Sequence, residues 1–408
     1  MRQDTEGHDL NLQRILHALS DGWWGAADVS NYTKKVLRRI AKCGTGAFGW
    51  VQHDCLDCGH ANFAPRGCTN RNCPSCVGAS AVEWVDIQKQ KVLNDPYFHV
   101  VFTLPKQLRT LAKRNPKVVL DALMKAAKSA LLHHYQQRNE PVTPALLMVL
   151  HTWNQRLDYH PHVHVLITAG GLSNDQQRWV PHASPHFLAH RNELLKPFRN
   201  HLLQRILRLR KQAKLDVSHE DLASIQTESA FQDLVAELRQ LNWNVHIQPP
   251  FGGPLNTLHY LGIYTHRTAI SNKRIVHIDD QQRTVTFSFL DRKAQTKRNS
   301  TVSFEFFADL YAQHILPKGF HRIRTAGLLA PANKAMLRIA QQLANQLETI
   351  PERPTAVDDL EEAPPKRCCE HCEGERLLVV AFHIPTKDGR FITKAVNSAI
   401  PPPKPEAA

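Results

Sequence analysis

The stretch ALLMVLHTWNQRLDYHPHVHVLITAGG, residues 145–171, decides how this chain folds. Ala145 to Trp153 and His162 to Gly171 are apolar, β-branched runs joined by a short polar segment, the pattern of an antiparallel strand pair. Strand residues two apart share a face, so His160, His162 and His164 project together while Val163, Val165 and Ile167 pack on the other side. Two imidazoles spaced this way can hold one divalent ion, with a third polar ligand from elsewhere and positions left open for a phosphate. By itself, however, a His-hydrophobic-His triplet is more often a solvated strand face.

Outward from this pair, YFHVVFTLP (97–105) reads as a buried strand ended by Pro105, and a basic amphipathic helical region follows to about His134. Phe198 to Lys214 is a Leu- and Arg-rich helix with one apolar face, whose arginines need not touch a ligand. A strand over Asn244 to Pro250 ends in a Pro-Phe-Gly-Gly turn, a helical segment covers Tyr260 to Thr268, and RTVTFSFLD (283–291) alternates as a strand. Val302 to Leu347 reads as helical, and IPERPTAVDDLEEAPPK (350–366) as an acidic, proline-rich linker before a cysteine-containing tail. The expected class is α+β: a central antiparallel sheet flanked by helices, preceded by a small zinc-ribbon-like domain. The expected blocks are 1–90 (helical and zinc-binding), 91–300 (core), 301–348 (helical) and 349–408 (linker and tail).

Of nine cysteines, six lie between Cys43 and Cys76. Cys55, Cys58, Cys73 and Cys76 form two CxxC pairs, the arrangement by which two knuckles present four thiolates to one structural Zn²⁺. Cys68 is an alternate ligand in the same window, and Cys43, His53 and His60 are further ones. Cys369 and Cys372 form a single CxxC beside Cys368, half a site that is either vestigial or completed elsewhere.

Lys and Arg number 51 against 37 Asp and Glu, a net charge of +14 that favours a polyanionic partner such as nucleic acid. Arg71, beside the cysteines, and Arg267 and Lys273, after the tyrosine segment, are candidate phosphate contacts. The start, MRQDTEGHDLNLQRILHALS, has no apolar h-region, and no run of about 18 apolar residues occurs. The expectation is therefore a cytoplasmic protein with no membrane partner, nucleoid-associated when bound to DNA.

In HYLGIYTHR, Tyr260 and Tyr264 are four apart on the expected helix and share a face, and a phenol is a suitable oxygen nucleophile toward a polarised phosphate. Two tyrosines at this spacing are, alone, more often core packing. Histidine ledge, paired tyrosines and cysteine module in one basic chain are a rarer conjunction.

The chain resembles rolling-circle transposases of the insertion sequence 91 family, which join an HUH endonuclease core to a cysteine-rich domain. The resemblance rests on CLDCGH (55–60), GCTNRNCPSC (67–76), FTLP (102–105), HPHVH (160–164), YLGIYTHRTAISN (260–272) and HILPKGFHRIRTAGLL (314–329). It implies that His162 and His164 are the HUH pair holding catalytic Mg²⁺ or Mn²⁺, with Tyr260 and Tyr264 as nucleophiles on single-stranded DNA at element ends and target. The third metal ligand stays open among His160, Gln155, Asp158 and His266. The implied reaction is nicking and rejoining through a 5′-phosphotyrosine. A rolling-circle replication initiator, or an inactive zinc-ribbon DNA-binding protein, is the alternative.

Overall fold

The computed structural model describes residues 11–26, 28–184, 187–250, 265–291, 294–347, 368–386 and 388–396. In chain order, helices α1 (Leu12–His17), α2 (Asp21–Ala26) and α3 (Asn31–Ala41) precede the hairpin β1 (Trp50–Cys55) and β2 (Ala61–Pro65), then helix α4 (Val77–Lys89). Strand β3 (Tyr97–Thr103), helices α5 (Arg109–Arg114) and α6 (Pro116–Gln136), and strands β4 (Val142–Thr143), β5 (Ala145–Trp153), β6 (Tyr159–Thr168), β7 (Gly171–Ser173) and β8 (Trp179–Val180) follow. Next come α7 (Arg191–Lys211), α8 (Glu228–Gln240), β9 (Val245–Gln248) and the meander β10 (Ile275–Asp279), β11 (Thr284–Asp291) and β12 (Thr296–Ser303). Strand β13 (Ile323–Gly327) and the hairpin β14 (Leu377–Pro385) and β15 (Phe391–Ala395) close the order. The class is α+β, with antiparallel sheets and helices.

The chain weaves between two units where the sequence reads as four consecutive blocks. One unit draws on Met1–Ser80, His266–Ala312 and Asp359–Ala408, the other on Ala81–Thr265 and Gln313–Asp358. In the first, β15-β14-β1-β2 form one sheet and β10-β11-β12 another. The N-terminal helices are tied to the remote segments by Trp23, whose Nε1–H donates to Asp309 Oδ1 at 3.1 Å, and by the Leu12 N–H, which donates to Asn272 Oδ1 at 3.3 Å.

The second unit is built on a five-stranded antiparallel sheet in the order β13-β5-β6-β3-β9. One face is apolar: Phe98, Val100 and Phe102 of β3, Leu146, Met148 and Leu150 of β5, and Val163, Val165 and Ile167 of β6. These pack on Leu120, Leu123, Met124 and Ala127 of α6 and on Leu195, Phe198 and Leu202 of α7. Fully burying one such side chain stabilises by about 1.5–3 kcal/mol, and this burial fixes which strand residues turn the other way. Opposed residues of antiparallel strands share a face, so His99, His151, His162, His164, His246 and Gln248 all stand on the second face.

Two elements depart from the sequence reading. Residues 302–347 are not continuously helical: helices Phe304–Ala312 and Lys334–Ala344 flank β13, which pairs with β5. The cysteine-containing tail beyond the linker, for which the sequence reading named no element, forms β14–β15, with β14 paired to β1. The linker itself, the Pro-Phe-Gly-Gly turn, Tyr260 and Tyr264 lie outside the described residues.

Candidate active site

The β5–β6 register builds the site. His151 stands directly opposite His162, and beyond that pair the ladder slips so that Trp153 opposes Tyr159. The slip gives β6 one extra residue, and Pro161, which has no N–H to give to the ladder, falls within it. One imidazole nitrogen from each of His151, His162 and His164 lies within 4.8 Å of the others. His151 is buried, its ring stacked on Trp153 with centroids 4.6 Å apart, while His162 and His164 are half-exposed.

Hydrogen bonds turn two of these rings. His162 Nδ1–H donates to the His160 carbonyl at 2.7 Å, which leaves its Nε2 lone pair for a ligand. With Gln248 Oε1 as acceptor, His99 Nδ1–H donates to it at 2.5 Å. His99 Nε2 then accepts from His164 Nδ1–H at 2.8 Å, so His164 also keeps Nε2 for an ion. Burial pushes the His99 imidazole down to about 4, so it is neutral at physiological pH, as this chain of donors requires. Partners of this kind fix the tautomer and orientation of a metal-binding histidine.

Two of the other candidates for a third ligand have hydrogen-bond partners of their own. His160 Nδ1 accepts from Arg109 Nη2 at 2.5 Å, and Asp158 Oδ2 accepts from Asn154 at 2.8 Å. His151 was hidden in the sequence because only the pairing register reveals it; the signal was a histidine at the end of the strand facing the HPHVH segment.

The donor set tests which ion fits. Three imidazole nitrogens, with no carboxylate among the described residues of the group, form a borderline set that suits transition metals and poorly suits Mg²⁺, which prefers oxygen ligands.

The cysteines divide differently from their spacing. Cys73 and Cys76 gather with Cys43 and Cys68, while Cys55 and Cys58 gather with Cys369 and Cys372. The CLDC knuckle caps one end of the β1–β2 hairpin, and the CTNRNCPSC segment begins past the other end of β2, five residues or roughly 16 Å away. One ion cannot span that length. In the group of Cys43, Cys68, Cys73 and Cys76, Cys76 Sγ lies 3.4 Å from Cys43 Sγ and 3.7 Å from Cys68 Sγ. These separations are close to the roughly 3.8 Å edge of a Zn–S tetrahedron. Of the candidate phosphate contacts, Lys273 is exposed, whereas Arg71 and Arg267 are half-buried. Burial also lowers the Arg71 pKa.

Residues 146–336 match the family described as "Putative transposase", and residues 15–104 match the family described as "Transposase zinc-binding domain". The chain is 35% identical over 303 residues to "Putative transposase y4qJ" of Sinorhizobium fredii, covering 74% of this chain and 75% of that one. It is 31% identical over 316 residues to "Transposase for insertion sequence element IS801" of Pseudomonas savastanoi pv. phaseolicola, covering 77% and 73%. No described helix is long and apolar enough to cross a membrane.

Proposed function

The chain belongs to the insertion sequence 91 family of transposases, and from that membership we propose that it nicks and rejoins single-stranded DNA through a 5′-phosphotyrosine, driving rolling-circle transposition. The observation that carries this reading is the convergence of His151, His162 and His164 on one face of the sheet. A divalent ion bound there supplies Lewis-acid polarisation of a DNA phosphate. Mn²⁺ is the better fit to three nitrogens than Mg²⁺.

The chain's own groups do the rest. His99 and Gln248 hold His164 in its ligating tautomer, and the His160 carbonyl does so for His162. Tyr260 attacks phosphorus: the Oη–P bond forms, the P–O3′ bond breaks, and the leaving oxygen takes a proton to become a free 3′-hydroxyl. The phosphodiester bond energy is kept in the adduct, so no nucleotide cofactor is consumed. Tyr264 serves the second strand. Thr265, the residue after Tyr264, is buried, and its carbonyl accepts from Arg322 Nη2 at 2.9 Å, which anchors the end of the tyrosine segment. Cys43, Cys68, Cys73 and Cys76 hold the structural zinc, and Lys273, with Arg71 and Arg267, contacts phosphates.

The test is incubation with labelled single-stranded DNA from an element end and Mn²⁺, scored for a covalent adduct on a denaturing gel. The adduct is expected from the unaltered chain and lost in Tyr260→Phe and in the His162→Ala, His164→Ala double variant. Firm DNA binding without any adduct would instead identify an inactive DNA-binding protein.

A further inference from the structure

We propose that the chain holds a second zinc ion on Cys55, Cys58, Cys369 and Cys372, and that this ion clasps the C-terminal hairpin onto the N-terminal cysteine module. The second half of this site lies far outside the zinc-binding match, which ends at residue 104. The proposal is independent of the nicking chemistry.

The four sulfurs lie within 4.8 Å of one another, with Cys55 Sγ 3.6 Å from Cys372 Sγ and Cys58 Sγ 3.7 Å from Cys369 Sγ. A disulfide would bring two sulfurs to about 2.05 Å. A tetrahedral zinc with bonds of about 2.3 Å sets every sulfur pair near 3.8 Å, the spacing of four thiolates around one ion.

The two CxxC turns also have the same local geometry, although they are 311 residues apart. In each, the amide two residues on donates to the first cysteine's sulfur: Asp57 N–H to Cys55 Sγ and His371 N–H to Cys369 Sγ, both at 3.4 Å. In each, the amide four residues on donates to the first cysteine's carbonyl: Gly59 to Cys55 and Glu373 to Cys369, both at 2.9 Å. That fourth residue is left-handed in both, with φ +74° at Gly59 and +60° at Glu373. Glycine accepts this conformation freely, whereas a glutamate does so at some strain, so the second turn is held there by its surroundings. Amide donors on sulfur stabilise the thiolate and direct its remaining lone pairs toward a shared centre.

The surroundings join the two turns. Asn62 of β2 is buried; its Oδ1 accepts from Glu370 N–H at 2.8 Å and its Nδ2 donates to Cys369 Sγ at 3.5 Å. Leu56 N–H donates to the Arg376 carbonyl at 2.8 Å, and Arg376 Nε donates to Asp57 Oδ1 at 2.6 Å. β1 ends in Cys55 directly opposite Leu377, the first residue of β14. Each turn alone supplies two ligands; the sheet pairing brings them to one place, and an ion bound by all four closes a chain loop of more than three hundred residues. Binding free energy at such a site is folding free energy for the paired strands.

The test counts zinc and maps the thiols. Zinc is measured on the full chain carrying His162→Ala and His164→Ala, so that only thiolate sites contribute. Two zinc ions per chain are expected, falling to one when Cys369→Ser and Cys372→Ser are added. A single zinc in the first protein, or two in the second, overturns the proposal. Should the cysteine variant fail to fold, the unaltered chain decides by alkylation mapped by mass. In the zinc-loaded protein Cys369 and Cys372 are expected to label about tenfold or more slowly than Cys368, which is exposed and belongs to neither group. A chelator is expected to release them together with Cys55 and Cys58. Equal labelling of Cys369, Cys372 and Cys368 before chelation contradicts the clasp.

Discussion

His151 and His99 join the histidine cluster through strand register and not through any local motif. His162 and His164 are legible in the sequence because a period of two is enough to put them on one face. His151 requires knowing that it stands opposite His162, and a one-residue slip of β5 would turn it into the core. His99 requires a further strand, β3, and the paired β9 that brings Gln248. These positions carry distinct predictions. His151→Ala is expected to abolish Mn²⁺ binding and adduct formation as fully as His162→Ala, read by Mn²⁺ titration and by denaturing gel. His99→Leu leaves all three ligands but frees His164 to rotate, so Mn²⁺ affinity should fall about 10–100-fold. Raising Mn²⁺ should then restore the adduct. Full activity of His99→Leu at limiting Mn²⁺ would remove His99 from its positioning role.

Among the elements, β13 shows most plainly where the sequence runs out. IRTAG is too short to declare itself between two helical stretches, and only its pairing with β5 makes it a strand. The same segment begins beside buried Arg322, whose guanidinium holds the Thr265 carbonyl. Arg322→Met keeps the packing but deletes this charge-assisted bond, worth about 1.5–3 kcal/mol. Adduct yield should drop while Mn²⁺ affinity stays unchanged; equal loss of both would mean that Arg322 merely supports the sheet.

Two further buried groups in the same unit, with His99, contribute to its response to pH. Burial pushes the Asp95 carboxyl up to about 7, although it accepts from Gly170 N–H at 2.9 Å and Trp179 Nε1–H at 3.0 Å. Its folded value lies above the unfolded one, near 3.9, so its stabilising contribution is full below about pH 4 and is lost as pH rises to 7. Burial pushes His314 down to about 4, so its contribution is full above about pH 6.5 and is lost as pH falls toward 4. Each amounts to something on the order of 3–4 kcal/mol, and they oppose each other across one window. Asp95→Asn removes the first, so its urea midpoint should fall more steeply than that of the unaltered chain between pH 6.5 and 4. Parallel pH profiles would contradict this assignment.

At the scale of the whole molecule, the +14 charge pointed to a polyanionic partner, and the order of cysteines, histidines and tyrosines pointed to an enzyme acting on DNA through its resemblance to a known family. The interleaving was not legible, because nothing local in Cys369 or Cys372 states that their partners are Cys55 and Cys58. Spacing pairs neighbours along the chain, whereas the length of the β1–β2 hairpin keeps these neighbours apart. Charge makes its own prediction: the logarithm of the affinity for single-stranded DNA should fall linearly with the logarithm of salt, and Lys273→Ala should reduce that slope by about 0.7, the share of the single phosphate that this lysine neutralises. An unchanged slope would show that Lys273 does not contact phosphate. The central claim is the pairing of the three-histidine centre with a tyrosine nucleophile. The most direct measurement is mass mapping of the tryptic peptide 240–267, which contains both tyrosines, after reaction with a single-stranded oligonucleotide and Mn²⁺. A nucleotide adduct on Tyr260 or Tyr264 that disappears in His151→Ala is the predicted result. An adduct on any other residue, or one that persists in His151→Ala, would contradict the account.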